Sequence, residues 1–244
     1  MSFNFSPKIV TSGLVLYVDP SNPKGYSNQL IQDLSYNKEF TFSMDNGATF
    51  SLFNNKVFEF DGITSTTASS VTSNKVFIMT SQMSWDVWFK RTNDGATFNM
   101  IYSNDYLPYL SFRGTGAGGT TNLFLFSWYT SFGGVATQRT LYTIGTYSNN
   151  IWYNVTCTLN QDVSSTTSTA NMYVDGLFVR TITTAVGSVD SLLFQSIGSR
   201  LRIGNYSSPK YPFTGNIGPL RVYNRILTSD EILQNYNSTK SRFY

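Results

Sequence analysis

Residues 215–232 read GNIGPLRVYNRILTSDEI, and the pattern changes period partway through. Leu220 and Val222 fall on one parity, Arg221 and Tyr223 on the other, which is the period of two of a β-strand. Thr228-Ser229-Asp230-Glu231 then spells S/T-x-x-E. This is a capping box, in which the Thr228 hydroxyl accepts from the residue-231 N–H and the Glu231 carboxylate accepts from the Thr228 N–H. A strand therefore hands over to a helix, expected from Ser229 to about Ser238 with Ile232, Leu233 and Tyr236 on one face. Within the strand, Pro219 cannot donate to a ladder, so a bulge or an edge position is expected there.

Upstream the strand pattern recurs about a dozen times. Leu14 to Val18 is apolar on both faces. Met83 to Lys90 puts Trp85, Val87 and Phe89 on one side and Asp86, Trp88 and Lys90 on the other. Asp175-Gly176 between two such runs is a two-residue hairpin signal. The Gly/Ser/Thr-rich pieces 64–73, 114–121 and 164–169 read as loops. No strand–helix–strand repeat occurs, so a parallel α/β sheet is excluded. The expectation is an all-β protein: a two-sheet antiparallel β-sandwich (jelly roll) with a short C-terminal helix. Residues 1–12 read as an N-terminal arm and 13–244 as one domain.

Composition agrees. Charged residues are 13% of the 244, against about 25% in an average domain. Aromatics are 16%, too many for disorder. The net charge of +3 is spread along the chain, with no run of five basic residues, so nucleic acid is not an expected partner. No apolar run approaches the length of a membrane span and the N-terminus lacks a secretory pattern; a soluble protein made in a cytoplasm, with no membrane partner, is expected.

The chemistry is bounded by what is scarce. There is no histidine, which rules out Ser–His–Asp and Cys–His machinery. The single cysteine, Cys157, shares the parity of Tyr153 and Val155 and reads as a small buried hydrophobe. Glycoside hydrolysis needs two carboxyls in one site, and the best acidic pair is Glu59 and Asp61, read as a solvated strand residue and a turn. No organic cofactor is expected. Calcium is the one ion that the oxygen-rich loops suggest, with Asp19, Asn22, Asn104 and Asp105 as oxygens, though none shows a diagnostic spacing. Two aromatic segments read as loops suit a sugar, which binds aromatic faces flanked by a few polar groups. They are Tyr102, Asn104, Asp105, Tyr106 and Tyr109, and Trp128, Tyr129 and Phe132; the competing reading is that these rings cover sheet ends or pack against a neighbouring subunit.

Several segments together resemble the concanavalin A-like jelly roll in its laminin-G-like or pentraxin-like branch. They are Val57 to Gly62, Met83 to Lys90, Trp152 to Thr156, Met172 to Gly176, Ile203-Gly204, Phe213 to Ile217 and Val222 to Arg225, in the family's order. Gly13 to Pro23, and Leu233 to Asn237 with Arg242-Phe243, are similar to members encoded by tailed bacteriophages. That resemblance implies a non-enzymatic virion structural protein on the particle surface, a capsid decoration or a tail or fibre component. It would be synthesised in the host cytoplasm, be present in multiple copies and dock to other virion proteins. The arm residues Phe3, Phe5 and Ile9 share one parity and could contact such a partner. The alternative is a carbohydrate-binding adhesin for host-surface glycans; a glycoside hydrolase is third. The E-x-D-x-E signature of the related glucanases is missing, and Gly218-Pro219 stands where many relatives carry acids.

Overall fold

The computed structural model describes residues 8–27, 30–51, 56–63, 69–92, 98–104, 108–113, 122–132, 135–161, 167–185, 200–206 and 211–244. Strands are numbered in chain order. The first sheet runs β15 (Leu177–Ala185), β14 (Thr167–Val174), β13 (Trp152–Asn160), β8 (Gln82–Arg91), β17 (Thr214–Tyr223), β6 (Phe58–Asp61), β5 (Thr49–Phe50), with β1 (Leu14–Val18) also on β17. The second runs β12 (Val135–Tyr142), β11 (Leu123–Phe132), β10 (Tyr109–Arg113), β9 (Phe98–Asn104), β16 (Arg200–Ile203), β7 (Ser70–Val76), β4 (Thr41–Asp45), β3 (Leu30–Gln32), β2 (Tyr26–Ser27). Neighbouring strands pair antiparallel, and the two sheets form the sandwich that the period-two patterns imply.

The core lies between the sheets because each strand sends alternate side chains inward. Trp85, Val87 and Phe89 of β8 are buried there together with Phe112, Phe124, Phe126 and Trp128 of the opposite sheet. Rings meet across the gap: Phe89 and Phe124 are edge to face at 5.3 Å, Trp85 and Phe126 tilted at 5.4 Å. Cys157 is fully buried in this core, as its parity implied.

The 215–232 stretch is decisive in three dimensions as well. β17 is central, pairing β8 on one side and β6 and β1 on the other. Its register on β8 shifts between Ile217 and Leu220, so Pro219 sits at a bulge inside the sheet. Gly215 is required by space: at φ +138°, a Cβ there would lie 2.2 Å from the Lys90 carbonyl oxygen. The hairpin at Asp175 and Gly176 has φ +51° and +78°, the left-handed pair that a tight two-residue turn needs.

The helix, α1 (Ser229–Thr239), starts with the complete capping box at Thr228 and Glu231. It packs on the outer face of the first sheet. There Trp88 is stacked by Phe243 at 4.4 Å and by Tyr236 at 5.5 Å, and its Nε1 donates to Thr239 Oγ1 at 2.9 Å. Ile232 and Asn235 are buried, whereas Leu233 is 40% exposed, so the buried helix face is rotated from the one expected.

Three further expectations need correction. Residues 70–73 are not loop: they begin β7, where Val71 enters the core and Ser70, Thr72 and Ser73 are buried beside it. Their hydroxyls make this tolerable, for example through Ser73 Oγ accepting from the Leu201 N–H, and polarity had disguised the strand. Likewise 167–169 open β14. Residues 8–12 are not a free arm. Val10 is buried with Tyr223, Leu227 and Ile232, its N–H donates to Asn235 Oδ1 and its carbonyl accepts from the Tyr223 hydroxyl. Ile9 is half-buried next to it. Phe3, Phe5 and residues 114–121 lie outside the described residues.

Candidate functional site

Strand parity sorts the predicted aromatics into two sets. On β11, Phe126 and Trp128 point into the core while Ser127 and Tyr129 point outward. Trp128 is 1% exposed, stacks on Phe126 and donates its Nε1–H to Ser168 Oγ at 2.9 Å. On β9 and β10, Tyr102 pairs with Leu110 and both are buried core residues. Burial pushes the Tyr102 hydroxyl well above its ordinary pKa. Asn104 is buried too, and its Nδ2 donates to the Phe77 carbonyl. Tyr102, Asn104 and Trp128 are therefore removed from the candidate set, because a group with no exposed face cannot meet a sugar. Asp105 and Tyr106 lie outside the described residues, as does the side chain of Phe132, a β11 residue.

Tyr109 and Tyr129 remain on the outer face, and the fold brings them together in a cleft of about 180 Å³. Phe98 and Met100 of β9 and Gln138 of β12 complete the strand-borne lining. Tyr206 and Tyr211, which follow β16, supply the remaining wall. Gln138 Nε2 donates to the Tyr109 hydroxyl at 2.8 Å, which fixes both side chains. Tyr211 packs edge to face on Phe98 at 5.5 Å and lies 6.4 Å from Tyr206. Hydrogen bonds to its carbonyls hold this wall down: the Met100 N–H donates to the Tyr211 carbonyl, and Ser103 Oγ donates to the Asn205 carbonyl.

The sequence reading missed Phe98, Met100, Gln138, Tyr206 and Tyr211. The last two had a legible signal, two tyrosines bracketing the sequence Ser207-Ser208-Pro209-Lys210; the others needed the strand register. A second cleft of about 200 Å³, between Val15, Glu39, Phe77, Ile78 and Asn224, mixes aliphatic and polar groups with two phenylalanines, Phe40 and Phe77, and no tyrosine.

The remaining polar candidates are occupied. Both Asp19 carboxylate oxygens accept from Arg242, at 3.0 and 3.1 Å, and Tyr17 and Ser21 also donate to them. Burial opposes ionisation of Asp19, but Arg242 outweighs it and its pKa falls. Asn22 Oδ1 accepts from the Lys24 N–H. Among the described residues no three His, Cys, Asp or Glu side chains cluster. Glu59 and Asp61 are both exposed; Asp61 accepts from Ser69 and the Ile63 N–H, as a turn residue does.

Residues 61–233 match the sequence profile of a laminin-G-like family described as the concanavalin A-like lectin/glucanases superfamily. The chain belongs to that superfamily. Among solved structures it is similar to domain 4 of AbnA, a GH43 extracellular arabinanase from Geobacillus stearothermophilus, in complex with arabinotriose. The TM-score is 0.61 at 16% identity, covering 93% of this chain and 100% of that one. It is also similar to the binding domain of Paraclostridial Mosquitocidal Protein 1 (TM-score 0.64, 18% identity, 93% of this chain and 52% of that one). The botulinum neurotoxin type G receptor binding domain gives TM-score 0.61 at 15% identity, covering 92% and 51%. The chain thus spans about half the length of those two toxin domains. At these identities the likeness is one of fold. No curated protein sequence matches the chain.

Proposed function

We propose that the chain is a non-catalytic glycan-binding module whose ligand sits in the tyrosine cleft. The observation that carries this is the convergence of Tyr109, Tyr129, Tyr206 and Tyr211 on one outer-face cleft, with Gln138 locking Tyr109 in place. Tyrosine rings present an electron-rich face to the C–H groups of a sugar and a hydroxyl to its oxygens. The arabinotriose complex of AbnA domain 4 supports the ligand class by analogy of fold. A glycan array with the intact chain and with Tyr129→Ala tests it. Wild-type binding that the substitution removes is the expected result; a wild type that binds no glycan ends the proposal.

A second reading places the module on the surface of a tailed-phage particle, docked to other virion proteins. Its support is sequence resemblance at residues 13–23 and 233–243. The fold ties those two segments together through Asp19 and Arg242, so they form one structural unit. Many copies on a particle would turn weak glycan contacts into useful avidity. Mass spectrometry of purified particles that carry the gene decides this point: presence of the chain is expected, and its absence discards the virion reading while leaving the cleft proposal intact.

A further inference from the structure

We propose that the tyrosine cleft selects a single sugar residue carrying an N-acetyl group, an N-acetylhexosamine. The inference rests on the glycan-binding reading of the cleft and names the substituent that the cleft recognises.

Size comes first. Clefts that bury a drug-sized ligand run to about 300–1,000 Å³, whereas this one is about 180 Å³. It therefore admits one sugar ring of a longer chain and not a stretch of it. Five of its seven lining residues are aromatic, and a sixth is Met100. Phe98, Tyr109, Tyr129, Tyr206 and Tyr211 are each partly exposed, so a ligand can reach their rings. The C–H face of one pyranose covers only part of that aromatic surface. A sugar hydroxyl turned toward the rest would lose its water without gaining a partner, at about 1–3 kcal/mol. The occupant therefore carries an apolar group of its own.

The polar groups say which one. Gln138 of β12 is exposed and pairs across the strands with Tyr129, and its Nε2 donates to the Tyr109 hydroxyl at 2.8 Å. That bond holds the Gln138 amide in place and leaves its Oε1 with no partner among the described residues. Tyr211 stands on the other side of the cleft, packed on Phe98 of β9. β12 and β9 are three strand spacings apart, roughly 14 Å at the backbone. The Tyr211 hydroxyl likewise has no hydrogen-bond partner among the described residues. The cleft thus sets a fixed acceptor opposite a donor, with rings between them. A secondary amide is planar and trans, so its N–H and C=O point in opposite directions. An N-acetyl group laid across the cleft donates to Gln138 Oε1, accepts from the Tyr211 hydroxyl and puts its methyl on Phe98. The methyl of a deoxy sugar would meet the rings and leave both polar groups unused, and a plain hydroxyl would do the reverse.

The test is calorimetric titration of the intact chain with trimers of N-acetylglucosamine and of N-acetylgalactosamine, each beside the matching hexose trimer and the matching free-amine trimer. At least one acetylated trimer should bind roughly tenfold tighter than both of its counterparts. Gln138→Ala should erase that preference. Tyr109→Phe keeps the ring and removes the hydroxyl that Gln138 bonds, and it should retain most of the preference. Circular dichroism melting shows that the variants are folded. An equal loss in Tyr109→Phe would reduce Gln138 to holding Tyr109 and overturns the role given to it. Equal binding of acetylated and plain trimers, or a preference that survives Gln138→Ala, overturns this inference and leaves the glycan reading standing. Failure of every trimer, where the glycan array finds another ligand, does the same. Failure of every trimer and of the array overturns both.

Discussion

Arg221 donates through Nη1 to Asp86 Oδ2 at 2.6 Å, and neither side chain is exposed. The two residues are cross-strand partners on β17 and β8. The other Asp86 oxygen accepts from Asn154 at 2.6 Å and Thr156 at 3.2 Å, and the Tyr17 ring lies 5.4 Å from the guanidinium. Burial disfavours the charged arginine, but Asp86 beside it wins and its pKa rises. Removing one partner of such a pair strands the other charge, at about 3–5 kcal/mol. Asp86→Asn should lower the urea unfolding free energy by that order, and Asp86→Leu with Arg221→Met should cost less than Asp86→Asn alone. An unchanged midpoint for Asp86→Asn would show that the pair does not hold the sheet.

Glu231 does two jobs at the start of α1. It closes the capping box on the Thr228 N–H at 2.9 Å, and it accepts from Arg225 at 2.6 and 2.8 Å. Arg225 is the main reason its pKa drops to about 2 from an ordinary 4.5. A depressed acid stabilises the fold fully above its unfolded pKa, and that contribution fades as pH falls through the folded value. Glu231→Gln should therefore cost about 0.5–1 kcal/mol near neutral pH, since the group is partly solvated. The difference from wild type should shrink between about pH 4.5 and pH 2 in thermal melts across that range. A difference that does not vary with pH would assign the cost to packing.

Cys157 is fully buried and burial raises its thiol pKa well above the usual value. Reaction needs both exposure and the thiolate. A thiol-reactive dye should label the native protein only as fast as the sandwich opens, and Asp86→Asn should accelerate labelling in proportion to its loss of stability. Rapid labelling of the native wild type would contradict the burial of β13 in the core.

The fold was legible because its largest signals are periodic. The alternation of Trp85, Val87 and Phe89, the Asp175-Gly176 turn and the Thr228–Glu231 box each read directly into structure. The site was less legible because it depends on register. Trp128 and Tyr129 are neighbours in sequence, yet parity sends one into the core and the other to the cleft. Read as a loop, the two look equivalent. β7 was hidden for the opposite reason: Ser70, Thr72 and Ser73 are buried through hydrogen bonds rather than apolarity, so hydropathy does not mark them. The helix face was misjudged by a fraction of a turn because Asn235, which looks solvent-facing, is buried to hold Val10 and Tyr223.

The same adjacency supplies the most direct test of the central claim, that a glycan is held on the outer-face tyrosines. For a glycan that the wild type binds, titration and melting are measured for Tyr129→Ala and Trp128→Ala side by side. Trp128→Ala should cost about 3–5 kcal/mol of stability, or roughly 6–20 °C in Tm for a chain of this size. Tyr129→Ala should melt within about 2–4 °C of wild type, corresponding to no more than about 1 kcal/mol. It should nonetheless lose roughly tenfold or more in affinity. Wild-type affinity in a well-folded Tyr129→Ala protein would contradict the account.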